Sequence, residues 1–317
     1  MHYSTGVDLI HTENLTKYFD DFKAVDGVDL DVPAGQVLAL LGPNGAGKTT
    51  TVRMLNSILV PSSGKAIVAG FDVVYESSKV RANVGVLTEL HGLYGRMRAV
   101  EYLEFYAHLY RLPEPFFKRR IEELLVTFGL IQFTGKRLGE YSKGMRQKLA
   151  LVRALLHDPR VLLLDEPTSA MDPESARVVR DAISELRSND RAIILCTHNL
   201  VEAEELADRV AIIRRGKILM NDTINGLKQQ LLGLPEYEAR FIGNVNEFIT
   251  ALPTRIVLTA QGDDFLRFQV SSPTEDNPLL IRQLASNCNL ISFHEVVRSL
   301  EQAYLKVMEN SGDEGGE

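Results

Sequence analysis

The sequence holds only two cysteines in 317 residues, Cys196 and Cys288, far apart and without metal-ligand spacing. A disulfide-stapled scaffold and a cysteine metal site are thereby excluded, and both thiols are expected to be reduced, small hydrophobes in a cytosolic protein. Long apolar runs are missing too: no stretch approaches the roughly 20 residues that cross a bilayer. The opening MHYSTGVDLIHTENL has no basic segment followed by an apolar one, so no signal peptide is expected. Any work at a membrane then needs other chains to supply the span. Basic charge is scarce as well, with 35 Lys and Arg against 42 Asp and Glu and a net charge of -7. The field of the whole molecule does not attract nucleic acid. Internal repeats and sustained heptads are absent.

What is present suits a globular α/β protein: 45% hydrophobic content in a chain long enough for one large domain and a smaller one. Short apolar runs at Val37 to Leu41, Val161 to Leu164 and Ile193 to Cys196 each precede a turn or helix signal. Such continuous runs suit strands covered on both faces, as in a parallel sheet. In MDPESARVVRDAISELR, Asp172 is placed to cap a helix with Pro173 at its first position and Ala176, Val179, Ile183 and Leu186 on one stripe. Asn199 is a second cap, for a helix through about Ala207, and VAIIRRGKIL predicts a hairpin turning near Arg215 and Gly216. Residues 89–159 change to a helical period and predict a helical insertion in the α/β body. Beyond about Lys228 the strands RIVLTA and FLRFQV flank the turn QGDD, so residues 229–310 are expected to form a small α+β domain. The acidic tail NSGDEGGE, covering 311–317, is expected to be disordered.

The chemistry is concentrated in LLGPNGAGKTTT. Residues 42–49 match G-x-x-x-x-G-K-[ST] between a predicted strand and a predicted helix. A chance match in a chain of this length is roughly a 1% event from average composition. Gly42, Gly45 and Gly47, with Pro43, Asn44 and Ala46 between them, let the backbone curl so that N–H groups point at phosphate oxygens. Lys48 would neutralise phosphate charge, the Thr49 hydroxyl would hold Mg²⁺, and Thr50 continues the cradle into the helix. In VLLLDEP, Asp165 and Glu166 end a buried strand, where open α/β sheets bind ligands. Asp165 can hold Mg²⁺ through water, and Glu166 is the candidate general base for an attacking water.

These motifs resemble the ATP-binding subunits of ATP-binding cassette (ABC) transporters over about residues 8–228, with six motifs in family order. The signature segment, usually LSGGQ, stands here as YSKGMRQKL, with Ser142 and Gly144 at its second and fourth positions, Lys143 in place of a glycine and Met145 in place of the glutamine. This variant is similar to the branch that serves export permeases of drugs, polysaccharides, lipids or ions. The resemblance implies a P-loop ABC ATPase domain, 1–228, made of a RecA-like core, an antiparallel β subdomain and a helical subdomain. It also implies a head-to-tail dimer, of two copies or two different cassettes, in which Ser142 and Gly144 cap the ATP held by the other subunit. SAMD after DEPT resembles the D-loop. His198 in LCTHN resembles the switch histidine that contacts γ-phosphate, and in LTKYF the ring that stacks on adenine is Phe19, with Tyr18 the neighbouring alternative. Glu89 occupies the place of the Q-loop glutamine and is expected on the metal side.

ATP and Mg²⁺ are the implied cofactors. Transmembrane permease subunits are the implied partners, docking near ELHGLYGRMRAVEYLEF, with the chain cytoplasmic and peripheral on the inner face of the cell membrane. ABC-type ATPases that act on ribosomes or DNA usually carry two cassettes or a long coiled coil, and this chain has neither. A module that binds nucleotide as a switch without turning it over is the other reading. Intact Lys48, Asp165, Glu166 and His198 speak against it, while Lys143 and Glu89 leave it open.

Overall fold

The computed structural model describes residues 8–88, 92–169, 171–187, 190–242, 256–287 and 289–310. The chain divides into two compact units, Met1–Ile224 and Asn225–Glu317. In the first, β1 (Asp8–Phe19) and β2 (Phe22–Pro33) form a hairpin whose turn places Asp20 at a left-handed φ of 50°, a region that a short polar side chain tolerates. Next come β3 (Val37–Leu41), α1 (Lys48–Leu55), β4 (Ser63–Val68), β5 (Phe71–Asp72), α2 (Ser77–Asn83) and β6 (Val84–Leu87). A helical segment holds α3 (Ala99–Leu109), α4 (Glu114–Thr127) and α5 (Lys143–Leu155). The chain then returns through β7 (Val161–Asp165), α6 (Pro173–Glu185), β8 (Ala192–Thr197), α7 (Leu200–Leu206), β9 (Arg209–Arg214) and β10 (Lys217–Thr223).

Two sheets result. The first is antiparallel in the order β2-β1-β4-β5, and the second runs β10-β9-β3-β8-β7-β6, with β10 antiparallel to β9 at one edge and the remaining pairs parallel. Every residue of β3, β7 and β8 is buried, which is why those strands read as unbroken apolar runs rather than as alternating ones. Register positions the site. Leu41 lies opposite both Thr197 and Ile212, and Asp165 lies opposite Cys196, so the carboxyl ends of β3, β7 and β8 finish along one edge of the sheet. Cys196 is a free thiol inside this core, and burial pushes its pKa well up, so it stays protonated and serves as packing.

The predicted helix caps form. Asp172 accepts from Ser175 N–H at 2.9 Å, and Asn199 accepts from the N–H groups of Val201 and Glu202 at 3.1 and 3.2 Å. Pro173 opens α6, where its missing N–H is not needed. Between α5 and β7, His157 stacks on Tyr110 with ring centroids 4.0 Å apart, and its Nε2 lies 3.2 Å from the Val84 carbonyl. Nδ1 is buried without a partner, so a proton added there would have nothing to bond, and desolvation lowers the pKa to about 4. The unfolded chain takes up that proton near pH 6.5 and the native chain only near pH 4. The contribution is therefore complete above about pH 6.5 and declines as pH falls toward 4, by at most about 3 kcal/mol. His157→Gln keeps a donor for Val84 and removes the titration. Thermal unfolding of this variant is expected to lose less stability than the parent between pH 6.5 and 4.

The second unit contains most of α8 (Ile224–Leu232), then β11 (Glu236–Ile242), β12 (Ile256–Gln261), β13 (Phe265–Val270), α9 (Pro273–Asn287), β14 (Asn289–Glu295) and α10 (Leu300–Asn310). Its strands form an antiparallel sheet in the order β12-β13-β11-β14. Alternate residues Tyr237, Ala239 and Phe241 of β11 and Leu266, Phe268 and Val270 of β13 pack with Leu280 and Leu284 of α9. Glu238, buried on β11, is satisfied by the Nε atoms of Arg240 and Arg267, each at 2.8 Å. Cys288 and the tail 311–317 lie outside the described residues.

Candidate active site

Steric necessity shapes the loop between β3 and α1. A Cβ on Gly42 would stand 2.2 Å from the Ile213 carbonyl, and one on Gly47 would stand 2.6 Å from the Ala24 carbonyl. Gly47 also has φ +110°, so no L side chain fits it on either count. The loop is thus pressed between β9 and β2, with Pro43, Asn44 and Gly45 exposed and Ala46 buried. Gly47 caps α1 with no side-chain acceptor, and the first turn, KTTT, has no acidic residue. The amides at this helix start are left to face a cleft of about 300 Å³, lined by Asn44 to Thr50 together with Phe19, Phe22, Ala24, Asp165 and Glu166.

Lys48 is buried, and its Nζ donates to the carbonyls of Gly42 at 2.6 Å and Pro43 at 3.1 Å. The Thr49 hydroxyl donates to Asp165 Oδ2 at 2.8 Å, joining the start of α1 to the end of β7. Across the same edge, His198 Nδ1 lies 2.7 Å from Glu166 Oε1. Glu166 is 17% exposed and His198 64%, so the pair reaches from the cleft wall toward solvent. The Glu166 backbone is left-handed, φ 51°, a conformation that a glutamate keeps only when its neighbours hold it.

This geometry brings Gly42 to Thr50, Asp165, Glu166 and His198 to one edge. Phe19 joins the cleft, whereas Tyr18 is absent from its lining and has the Lys23 ammonium 5.1 Å from its ring centroid. Ser142 and Gly144 stand apart from this cleft at the start of α5, where the Ser142 hydroxyl accepts from Met145 N–H at 3.2 Å. A Cβ on Gly144 would meet Met171 and Ser175 only at ordinary contact distances, so space does not dictate that glycine. Glu89 lies outside the described residues.

Three side chains receive no role from the sequence motifs, although Gln147 lies within the segment YSKGMRQKL. Phe22, 65% exposed, follows the hairpin turn and lines the same cleft as the residues of the β3–α1 loop. The Gln147 amide donates to the carbonyls of Glu166 and Pro167. Glu202, buried in the first turn of α7, accepts from the Thr168 hydroxyl at 2.6 Å, and burial raises its pKa. An aromatic directly after the turn Asp20–Asp21 is the signal that was available for Phe22. Gln147 lies in the signature segment, but its partners, like that of Glu202, are distant in sequence, so no local pattern announces either contact.

The oxygen donors present suit a magnesium–nucleotide pair. Mg²⁺ commonly takes one or two protein oxygens and completes its shell with phosphate and water. Thr49 and Asp165 supply that number beside the glycine cradle, and no group of three or more His, Cys, Asp or Glu that could hold a metal occurs among the described residues.

The family model described as ABC transporter matches residues 25–169. The ABC transporter ATP-binding protein NatA of Bacillus subtilis is 41% identical over 206 residues, spanning 65% of this chain and 84% of that protein. The daunorubicin/doxorubicin resistance ATP-binding protein DrrA of Streptomyces peucetius is 32% identical over 96% of this chain and 94% of its own length. A solved ATP-binding subunit of an ABC transporter superposes with a TM-score of 0.67 at 28% identity, covering 71% of this chain and 94% of that one. With this glycine-shaped loop and strand-end carboxylate pair, the chain belongs to the ATP-binding subunits of ABC transporters, P-loop ATPases that bind ATP.

Proposed function

We propose that this ATPase powers an exporter. Two cassettes close head to tail over two ATP molecules, and hydrolysis lets them part, while separate transmembrane permease subunits carry the substrate. The observation that bears most weight is the Glu166–His198 pair, 2.7 Å apart, on the edge shared with Lys48 and Thr49. Glu166 accepts a proton from water as the water oxygen bonds to the γ-phosphorus, and the bond to the β-phosphate oxygen breaks, releasing ADP and phosphate. His198 holds the carboxylate and faces the γ-phosphate; Lys48 and the amides at the start of α1 offset charge on the transferred group. Thr49 and Asp165 would hold Mg²⁺, with Glu89, outside the described residues, assigned to the metal side, and the bound ion would supply further charge neutralisation on the phosphates. Chelating it is expected to abolish phosphate release, and undiminished turnover in excess chelator would remove those residues from a metal role.

Phe19 is assigned to the adenine ring, and Ser142 and Gly144 to the ATP of the other cassette. Residues 1–228 are the ATPase domain and 229–310 an accessory domain. Exposed Tyr94 and Phe105, edge to face at 6.2 Å, support docking of a permease at the helical segment. No helix among the described residues is long and apolar enough to cross a membrane, so the span is assigned to those partners and the chain to the cytoplasmic face. Export is supported by the drug-resistance naming of relatives such as DrrA. Copurification from detergent-solubilised membranes, with phosphate release assayed alongside, tests the reading. A multi-span permease in the complex is expected, and a ribosomal or DNA-bound partner would overturn it.

A further inference from the structure

Gln147 is a polar residue on the buried stripe of α5, spaced at the helical period from Ala150, Leu151, Ala154 and Leu155. It is 4% exposed. An amide at such a position is unfavourable unless its polar atoms are satisfied, so its partners explain its presence. Nε2 donates to the carbonyls of Glu166 at 3.0 Å and Pro167 at 3.1 Å. Proline has no N–H, so its carbonyl is the one backbone handle by which hydrogen bonding can hold it. Glu166 N–H donates to the Cys196 carbonyl at 2.8 Å, and its own carbonyl also accepts from Ser169 N–H at 3.2 Å. The left-handed turn is thereby held from β8 on one side and from α5 on the other.

We propose that Gln147 is a positioning residue for hydrolysis: its amide fixes the Glu166–Pro167 turn so that the Glu166 carboxylate stays beside His198 and the phosphate loop. It touches no reacting atom, and the inference rests on Glu166 acting as the base. Gln147 lies five residues beyond Ser142, on the helix whose first turn is assigned to the other cassette's ATP. Gln147 thereby joins that helix to the turn that carries the base.

Gln147→Met keeps length and approximate volume and removes the donor. Displacing a reacting group by about 1 Å can cost roughly 10²-fold, so kcat is expected to fall by about 10- to 100-fold, with ATP affinity within about twofold of the parent. A residue that served only packing would not split kcat from affinity in this way. Gln147→His returns an N–H donor at similar reach and is expected to recover turnover to within about threefold of the parent. Parental kcat in Gln147→Met overturns the proposal, as does a joint loss of kcat and affinity in a folded protein. If Gln147→Met does not fold, Gln147→His decides: lost turnover with ATP binding intact overturns the proposal, and near-parental turnover supports it. The parent runs in the same assay, so a parent that releases no phosphate defeats the functional reading instead.

Discussion

Replacing Glu166 with glutamine is expected to lower steady-state phosphate release by roughly 10²- to 10⁴-fold, the range that a positioned general base contributes. ATP affinity should change little. The substitution preserves shape and removes the negative charge and the proton-accepting oxygen, while the cradle formed by Lys48, Thr49 and the amides of α1 is untouched. The contact with His198 at 2.7 Å can persist, since an amide carbonyl oxygen still accepts from an imidazole N–H. With ATP bound and not consumed, the closed pair of cassettes should accumulate, visible as an ATP-dependent dimer by size exclusion or light scattering. Phosphate release within twofold of the parent at saturating ATP would remove Glu166 from the base role and favour His198 or a substrate oxygen. Loss of ATP binding would show that the left-handed turn had collapsed and that its carboxylate is structural.

The likeness between sequence and structure is greatest where burial is uniform and where backbone chemistry leaves no choice. Val37 to Leu41 could be read as a strand because both faces are covered, and the glycines at 42 and 47 as obligatory turn residues because neither position admits a Cβ. Asp172 before Pro173 and Asn199 before Leu200 declared their helices through capping chemistry contained within a few residues. The turn that aims Glu166 was not legible. Its left-handed backbone is held by Gln147, 19 residues upstream, and by Cys196, 30 residues downstream across the sheet, and no local pattern announces either. His157 was silent for the same reason. One histidine after a helix says nothing until Tyr110 stacks on it and Val84 offers a carbonyl. At Ser142 the capping bond to Met145 is present, and capping the helix is compatible with offering the same hydroxyl to a phosphate when the other cassette docks.

Lys48→Ala is expected to act one step earlier than Glu166→Gln, on nucleotide binding itself. The ammonium is buried, and its described hydrogen bonds run to neutral carbonyls, those of Gly42 and Pro43. Those bonds hold the charge at the mouth of the cradle without neutralising it, which leaves it available to phosphate oxygens. A hydrogen bond to a charged group contributes about 1.5–3 kcal/mol, so ATP affinity should weaken by roughly 10- to 150-fold. The same removal leaves two loop carbonyls without their donor, and a fall in thermal stability is expected alongside. Two measurements separate the contributions. Thermal unfolding without nucleotide reports the loop's own loss, whereas the additional stabilisation on adding ATP reports binding and should shrink in the variant. Binding by a fluorescent ATP analogue at several salt concentrations adds an independent reading, because losing a cation should make the affinity less dependent on ionic strength. Undiminished ATP affinity in Lys48→Ala would contradict the assignment of residues 42–49 as the phosphate cradle, even if turnover were lost. Weakened affinity here beside retained affinity in Glu166→Gln would divide the site as its geometry does, with binding on the β3–α1 loop and proton transfer on the turn after β7.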